Sequence, residues 1–229
     1  MEKATDRLKI LIGEEGLTRL AAAKIAVVGL GGVGGQAAEA IARSFVGNLT
    51  LVDGDVVNKS NVNRQIFATE KTVGKEKAFV AADRVREINP AAQVTALPLF
   101  ITEENLPSLD IWDADCIVDA IDDVSAKVAL IKEAHARGVK IVSSMGAANR
   151  FDPTAFKVAD ISETHTCPLA KKIRRLLVEQ GVEKGVTVVY STEKPLSFGG
   201  ALGSNAFVPP SAGLLVAKMA IDFILNGKA

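Results

Sequence analysis

At 229 residues, with 27 basic and 27 acidic side chains, the chain is long enough to bury a substantial core and has no net field drawing it to nucleic acid or anionic membrane. Its two cysteines, Cys116 and Cys167, exclude a disulfide scaffold and an all-cysteine zinc site within one chain, and 5% aromatic content argues against stacking platforms for single-stranded bases. The N-terminal MEKATDRLK has no apolar leader core, so a soluble, cytoplasmic protein without a membrane partner is expected.

In chain order, Leu8, Leu11, Ile12, Leu17 and Leu20 have a roughly helical spacing over Asp6 to Leu20, interrupted by Gly13 and Gly16, which predicts one or two short helices. Arg7 stands at their start and by itself reads as a solvated arginine. Ile25 to Val28 is a β-branched apolar run of strand length. It ends at Gly29, and Gly29, Gly31 and Gly34, with Gly32 between them, spell G-x-G-x-x-G before a helix predicted from Gln36 to Phe45. Strand, glycine turn and helix in that order aim free N–H groups at an anion, so a nucleotide is expected here. Leu49 to Val52 is a second strand, ending at Asp53-Gly54-Asp55. Asp53 lies 19 residues past Gly34, where such folds offer a carboxylate to a ribose. These features do not separate NAD from ATP.

Downstream, Asn58, Asn61, Asn63, Arg64 and Gln65 cluster within eight residues, and Lys77 opens a helix predicted to run to about Ile88. Cations and amides beside a phosphate turn suit a polyphosphate; a solvated loop is the alternative. A strand at Asp115 to Asp119 precedes Asp122 and a helix from Val124 to Arg137, for which Asp123 is well placed as N-cap. A strand at Lys140 to Ser144 then gives way to Met145-Gly146-Ala147-Ala148-Asn149, small residues that leave room for a ligand. After a strand at Phe156 to Ile161, Cys167-Pro168 starts a helix on which Lys171, Arg174 and Arg175 share a face, either an RNA phosphate contact or a solvated surface. Cys167 reads as structural, with an acyl-accepting thiol as the alternative. A strand at Val186 to Tyr190 leads to a 14-residue loop, Ser191 to Ser204, long enough for a lid or a partner surface. The final helix is expected from Ser211 to Leu225, too short to span a membrane and suited to packing or a dimer seam. No linker interrupts the composition. One α/β domain over 1–229 is predicted, a doubly wound, Rossmann-like, mainly parallel sheet with a nucleotide-binding half to about 150 and an elaborated C-terminal segment from about 151.

The succession GLGGVGG, VDGDVV, NVNRQ, TVGKEKA, REINP and VDAIDD resembles the adenylate-forming ThiF, MoeB and HesA family, relatives of ubiquitin-activating enzymes. The segments IGEEGL, DPTAFKVADI and AFVPPSAGLLVAKMAIDFIL are most similar to the branch that acts on threonylcarbamoyladenosine in tRNA. The resemblance implies ATP and Mg²⁺ as cofactors and a homodimer. It makes Asp53, with Asp55 nearby, the ribose side of the site. Asn61 and Arg64 face the phosphates with Gln65 adjoining, Lys77 neutralises them, and Asp122 holds the metal. Arg7 matches an arginine that reaches into the neighbouring subunit's site. The implied reaction is ATP-dependent adenylation of a threonyl carboxylate, which then cyclises with net loss of water on modified tRNA. The nearest alternative is adenylation of the C-terminal glycine of a ubiquitin-like sulfur carrier, with a sulfur-transfer or acceptor protein as partner. The chain lacks the paired CxxC motifs of many such members. An NAD-dependent oxidoreductase is the alternative from another class; it leaves Asn61, Arg64 and Lys77 without a task.

Overall fold

The apolar runs become the centre of a seven-stranded sheet in the computed structural model, which describes residues 3–227. In chain order the elements are α1 (Asp6–Ala22), β1 (Lys24–Val28), α2 (Gly34–Arg43), β2 (Asn48–Val52), α3 (Lys77–Ile88), β3 (Gln93–Leu97), β4 (Cys116–Asp119), α4 (Val124–Arg137), β5 (Ile141–Ser144), β6 (Phe156–Asp160), α5 (Pro168–Glu179), β7 (Thr187–Ser191) and α6 (Val208–Leu225). The strand order is β3-β2-β1-β4-β5-β7-β6; every pair is parallel except β6 with β7. The chain winds outward from β1 to one side and from β4 to the other, so the two strands flank a crevice at their carboxyl ends, the usual ligand position in open α/β sheets.

All four residues of β4 and of β5 are buried, as are the last four of β1, because helices cover both faces. One core joins the sheet to α1, α2, α3 and α6 through Ile25, Val27, Ile41, Leu49, Leu51 and Val216; the other joins it to α4 and α5 through Val28, Ile117, Leu130, Ile131, Ile173 and Val188. Each such side chain contributes about 1.5–3 kcal/mol on burial. Buried Glu39 of α2 accepts hydrogen bonds from Arg43 Nε at 2.9 Å and from Arg84 Nε of α3 at 3.1 Å, which ties the two helices together. Burial acts to raise the Glu39 carboxyl, but the hydrogen bonds from Arg84 and Arg43 outweigh it and hold the group below its usual value. Its contribution is full above an unfolded pKa of about 4.3 and is lost as the pH falls from there through the lowered folded value.

Several boundaries differ from the sequence reading. The first helix pair is continuous except at Gly13, whose φ of 73° kinks it. α2 starts two residues earlier than expected and ends at Arg43, with Phe45 beyond it at a φ of 58°. β3 was not foreseen. It is an edge strand in which no residue is fully buried, so it lacks the apolar run that marks the central strands. α6 begins at Val208, because Pro209 and Pro210 fit a first turn that needs no N–H donors. Its 18 residues, with mean hydropathy 1.5, are long and apolar enough to cross a membrane, which corrects the expectation that this helix is too short. Here it is a core helix, with Val208, Ala212, Gly213, Val216, Ala217 and Ala220 buried and Gly213 closely packed on Val33 and Gln36.

Candidate active site

The crevice opens into a cleft of about 1080 Å³ that gathers residues from both halves of the sheet. Gly29, Gly31, Gly32, Asp53, Asp55, Asn61, Arg64, Gln65, Lys77 and Asp122 all line it. Gly34 does not: it lies buried behind the turn, where a Cβ would come within 1.7 Å of the Gly29 carbonyl oxygen. Arg7 is exposed on α1, outside the cleft lining.

Asp53 follows β2 and shapes the turn itself. Its Oδ2 accepts the Leu30 N–H at 2.6 Å and its Oδ1 accepts the Asp55 N–H at 2.8 Å. Each oxygen keeps a lone pair for a hydroxyl donor. Lys77, at the start of α3, is largely buried; its Nζ donates to Asp55 Oδ2 at 2.7 Å and lies 3.9 Å from Asp53 Oδ1. Asp55 is half-exposed, so this pair can open toward a stronger anion in the cleft. Asn61 is buried, and its Oδ1 accepts the Asn58 N–H at 2.9 Å as part of a capping box on the turn Lys59–Asn61. Arg64 is held by the Ser60 carbonyl at 2.9 Å and Asn63 Oδ1 at 2.8 Å.

The run Asp119 to Asp123 divides its carboxylates among three roles. Asp119 Oδ1 accepts the Ile121 N–H at 3.0 Å, and Asp123 Oδ1 accepts the Ala126 N–H at 2.8 Å as the N-cap of α4, as expected. Among the described residues, Asp122 has no hydrogen-bond partner and is exposed in the cleft. Beneath it lies a polar cluster the sequence reading missed. Lys127 is fully buried and donates from Nζ to Asp119 Oδ2 at 2.7 Å, to the Ser144 carbonyl at 3.0 Å and to Ser143 Oγ at 3.2 Å; Ser143 Oγ donates to Asp119 Oδ2 at 2.6 Å. This cluster pins β4, α4 and β5 together next to the loop that carries Asp122. Lys127→Met is expected to cost about 3–5 kcal/mol in urea denaturation, because it leaves a buried carboxylate unpaired.

At the other end of the cleft, over β5 and β7, lie Met145 to Arg150, the start of α5 and the loop Pro195 to Ser204. Asn149 holds that loop through its N–H to the Gly203 carbonyl at 2.8 Å and its Nδ2 to the Ala201 carbonyl at 3.1 Å. Cys167 is buried at the N-cap of α5, and the His165 ring packs edge-on against Tyr190 at 5.4 Å. Burial pushes the Cys116 thiol well up, which removes it as a nucleophile. The basic face expected on α5 is smaller than the spacing suggested. Arg174 turns inward to the Thr164 carbonyl and Oγ1 at 2.5 and 2.6 Å, and Arg175 faces Glu179 at 3.6 Å.

Such a cleft, with a glycine turn, a carboxylate at the end of β2, two cations and an aspartate without a side-chain partner among the described residues at the switch point of a doubly wound sheet, is that of a nucleotide-using α/β enzyme of the adenylating type. The ThiF family model matches residues 5–228, and the chain belongs to the ThiF family. It is 43% identical over 228 residues to the tRNA threonylcarbamoyladenosine dehydratase of Bacillus subtilis, covering 92% of this chain and 90% of that protein. It is also 43% identical over 190 residues to the corresponding Escherichia coli dehydratase, covering 80% and 71%. The E. coli enzyme crystallised with ATP superposes with a TM-score of 0.91 at 38% identity, covering 95% of this chain and 92% of that one. The NAD-dependent alternative falls with these relationships.

Proposed function

We propose that this chain uses ATP to adenylate the threonyl carboxylate of threonylcarbamoyladenosine in tRNA, after which the side chain closes on itself with net loss of water. One observation carries the reading: Asn61, Arg64, Lys77 and Asp122 share one cleft with the glycine turn, in a chain similar over nearly its full length to an ATP-bound dehydratase. The turn's N–H groups and the α2 N-terminus receive phosphate, and Asp53 receives the ribose. Arg64 and Lys77 screen the triphosphate from the incoming carboxylate; Lys77 leaves Asp55 to do so. A carboxylate oxygen bonds to the α-phosphorus as the bond to the bridging oxygen breaks and pyrophosphate leaves. An internal nucleophile of the same side chain then attacks the activated carbonyl, loses its proton and expels AMP.

Magnesium fits the donor set. Mg²⁺ is held by one or two carboxylates plus phosphate oxygens and water, and Asp122 is a cleft carboxylate with no protein partner among the described residues. When bound it would supply charge for the departing pyrophosphate.

The reading includes a cytoplasmic homodimer in which Arg7 reaches the neighbouring subunit's site. Arg7 is exposed on α1 beside Ile10 and Leu11, which are 80% and 81% exposed, so this helix offers an apolar face to a second copy.

Incubation with ATP, magnesium and tRNA bearing threonylcarbamoyladenosine should yield AMP, pyrophosphate and a nucleoside lighter by one water in mass spectrometry. ATP–pyrophosphate exchange driven by a sulfur-carrier protein, with no mass change in the tRNA, would sink the substrate assignment.

A further inference from the structure

The half of the cleft over β5 holds a cation with no assigned task. Arg150 follows β5 and is 5% exposed, yet it lines the cleft. Its Nε donates to the Glu193 carbonyl at 3.2 Å and its Nη1 to the Ala148 carbonyl at 3.0 Å. Nη2 is buried and has no hydrogen-bond partner. Arg150 forms no ion pair among the described residues; the Glu193 carboxylate, on the residue whose carbonyl Arg150 meets, instead accepts the Phe151 and Asp152 N–H groups. A guanidinium is neither deprotonated nor left unpaired when buried without penalty, so this one is a charged donor waiting for an acceptor.

A second feature converges on the same place. α5 opens on the cleft at Cys167, Pro168 and Leu169; no side chain caps it, and its first turn contains no acidic residue. Its positive end is therefore uncompensated by the protein. Gly146 marks where the two features meet. A Cβ there would stand 3.3 Å from Arg150 Nη1, 3.5 Å from Cys167 Sγ and 3.5 Å from Leu169 Cβ, so guanidinium and helix end both border the space above Gly146. β5 lies two strands, about 10 Å, from the glycine turn, so the triphosphate-binding residues and Arg150 serve different parts of the cleft.

We propose that Arg150 and the α5 N-terminus form an oxyanion subsite for the acyl-bearing RNA, with Arg150 as a substrate-binding residue distinct from the ATP-binding set. The proposal rests on the RNA-directed reading above. The ligand is a singly charged oxyanion, which in that substrate is either a backbone phosphodiester beside the modified nucleoside or the threonyl carboxylate before activation. The guanidinium, whose Nη1 stands on the Gly146 side, supplies charge-assisted hydrogen bonding, and the helix end supplies backbone N–H groups.

The two sources separate by binding. Fluorescence anisotropy would use an anticodon stem-loop RNA carrying threonylcarbamoyladenosine and the same RNA with plain adenosine. Arg150→Gln is expected to raise Kd for the modified RNA about tenfold or more while leaving ATP affinity within about twofold. If the ligand is a phosphodiester, both RNAs weaken alike and the slope of log affinity against log salt falls by about 0.7, one contact on single-stranded RNA. If it is the carboxylate, only the modified RNA weakens. Arg150→Lys, which keeps the charge, should recover most of the affinity. Unchanged Kd for both RNAs overturns the proposal. So does a parallel loss of ATP binding and melting temperature in Arg150→Gln, which would make the residue structural. A wild-type protein that neither binds these RNAs nor dehydrates the nucleoside overturns the functional reading itself, before any variant is compared.

Discussion

Asp122→Ala is expected to lower the rate of pyrophosphate release by about 10²–10³ while ATP still binds. The reason lies in how its neighbours are occupied. Asp119 is committed to Ile121, Lys127 and Ser143, and Asp123 to the α4 N-terminus, so neither can move to a metal without breaking structure. Asp122 alone is free to meet a cation and has no folding role to lose. Asp123→Ala makes the control: it should cost about 1 kcal/mol in stability through the missing cap and keep turnover within a few-fold. Single-turnover pyrophosphate release, read beside calorimetric ATP binding, separates the two. Full activity in Asp122→Ala would remove the metal assignment.

The central strands and the helices α3 and α4 were legible because their signals are local. Buried parallel strands read as continuous apolar runs, Lys77 opens its helix where expected, and Asp123 caps α4 just before its first residue, Val124. What stayed hidden depends on tertiary neighbours. β3 is half-exposed, and its Val94 and Ala96 alternate too weakly to stand out. Lys127 drew no attention in the sequence, although it stands in register with Leu130, Ile131 and Ala134 on the buried stripe of α4. That periodicity was the available signal for a buried cation, and Asp119 at the end of an apolar strand was its partner. Arg150 gave no such signal. It sits in an irregular segment, and its burial depends on Glu193 and Asn205, which fold over it from beyond β7. The basic face of α5 failed for the opposite reason, since helical spacing does not reveal that Arg174 bends back to Thr164.

Two glycines of one motif are expected to fail in different ways. At Gly34 a Cβ would lie 1.7 Å from the Gly29 carbonyl oxygen and 3.0 Å from the Ala120 Cβ, so the crossing of α2 over the end of β1 has no space for a methyl group. Backbone is in the way and cannot rotate aside. Gly34→Ala should therefore cost more than about 4 kcal/mol or prevent folding altogether, visible as a lost or sharply lowered melting transition. At Gly31 a Cβ would meet only the Gln65 Nε2, at 3.7 Å, an ordinary contact with a flexible side chain. Gly31→Val should fold with nearly unchanged melting temperature. Its side chain would stand in the cleft where phosphate must approach the backbone, so ATP binding should fall below detection in calorimetry. Retained ATP affinity in folded Gly31→Val would place the triphosphate elsewhere in the cleft. The fingerprint thus joins two separable demands: a helix close enough to aim its N-terminus, set by Gly34, and an open backbone for the anion, set by Gly31.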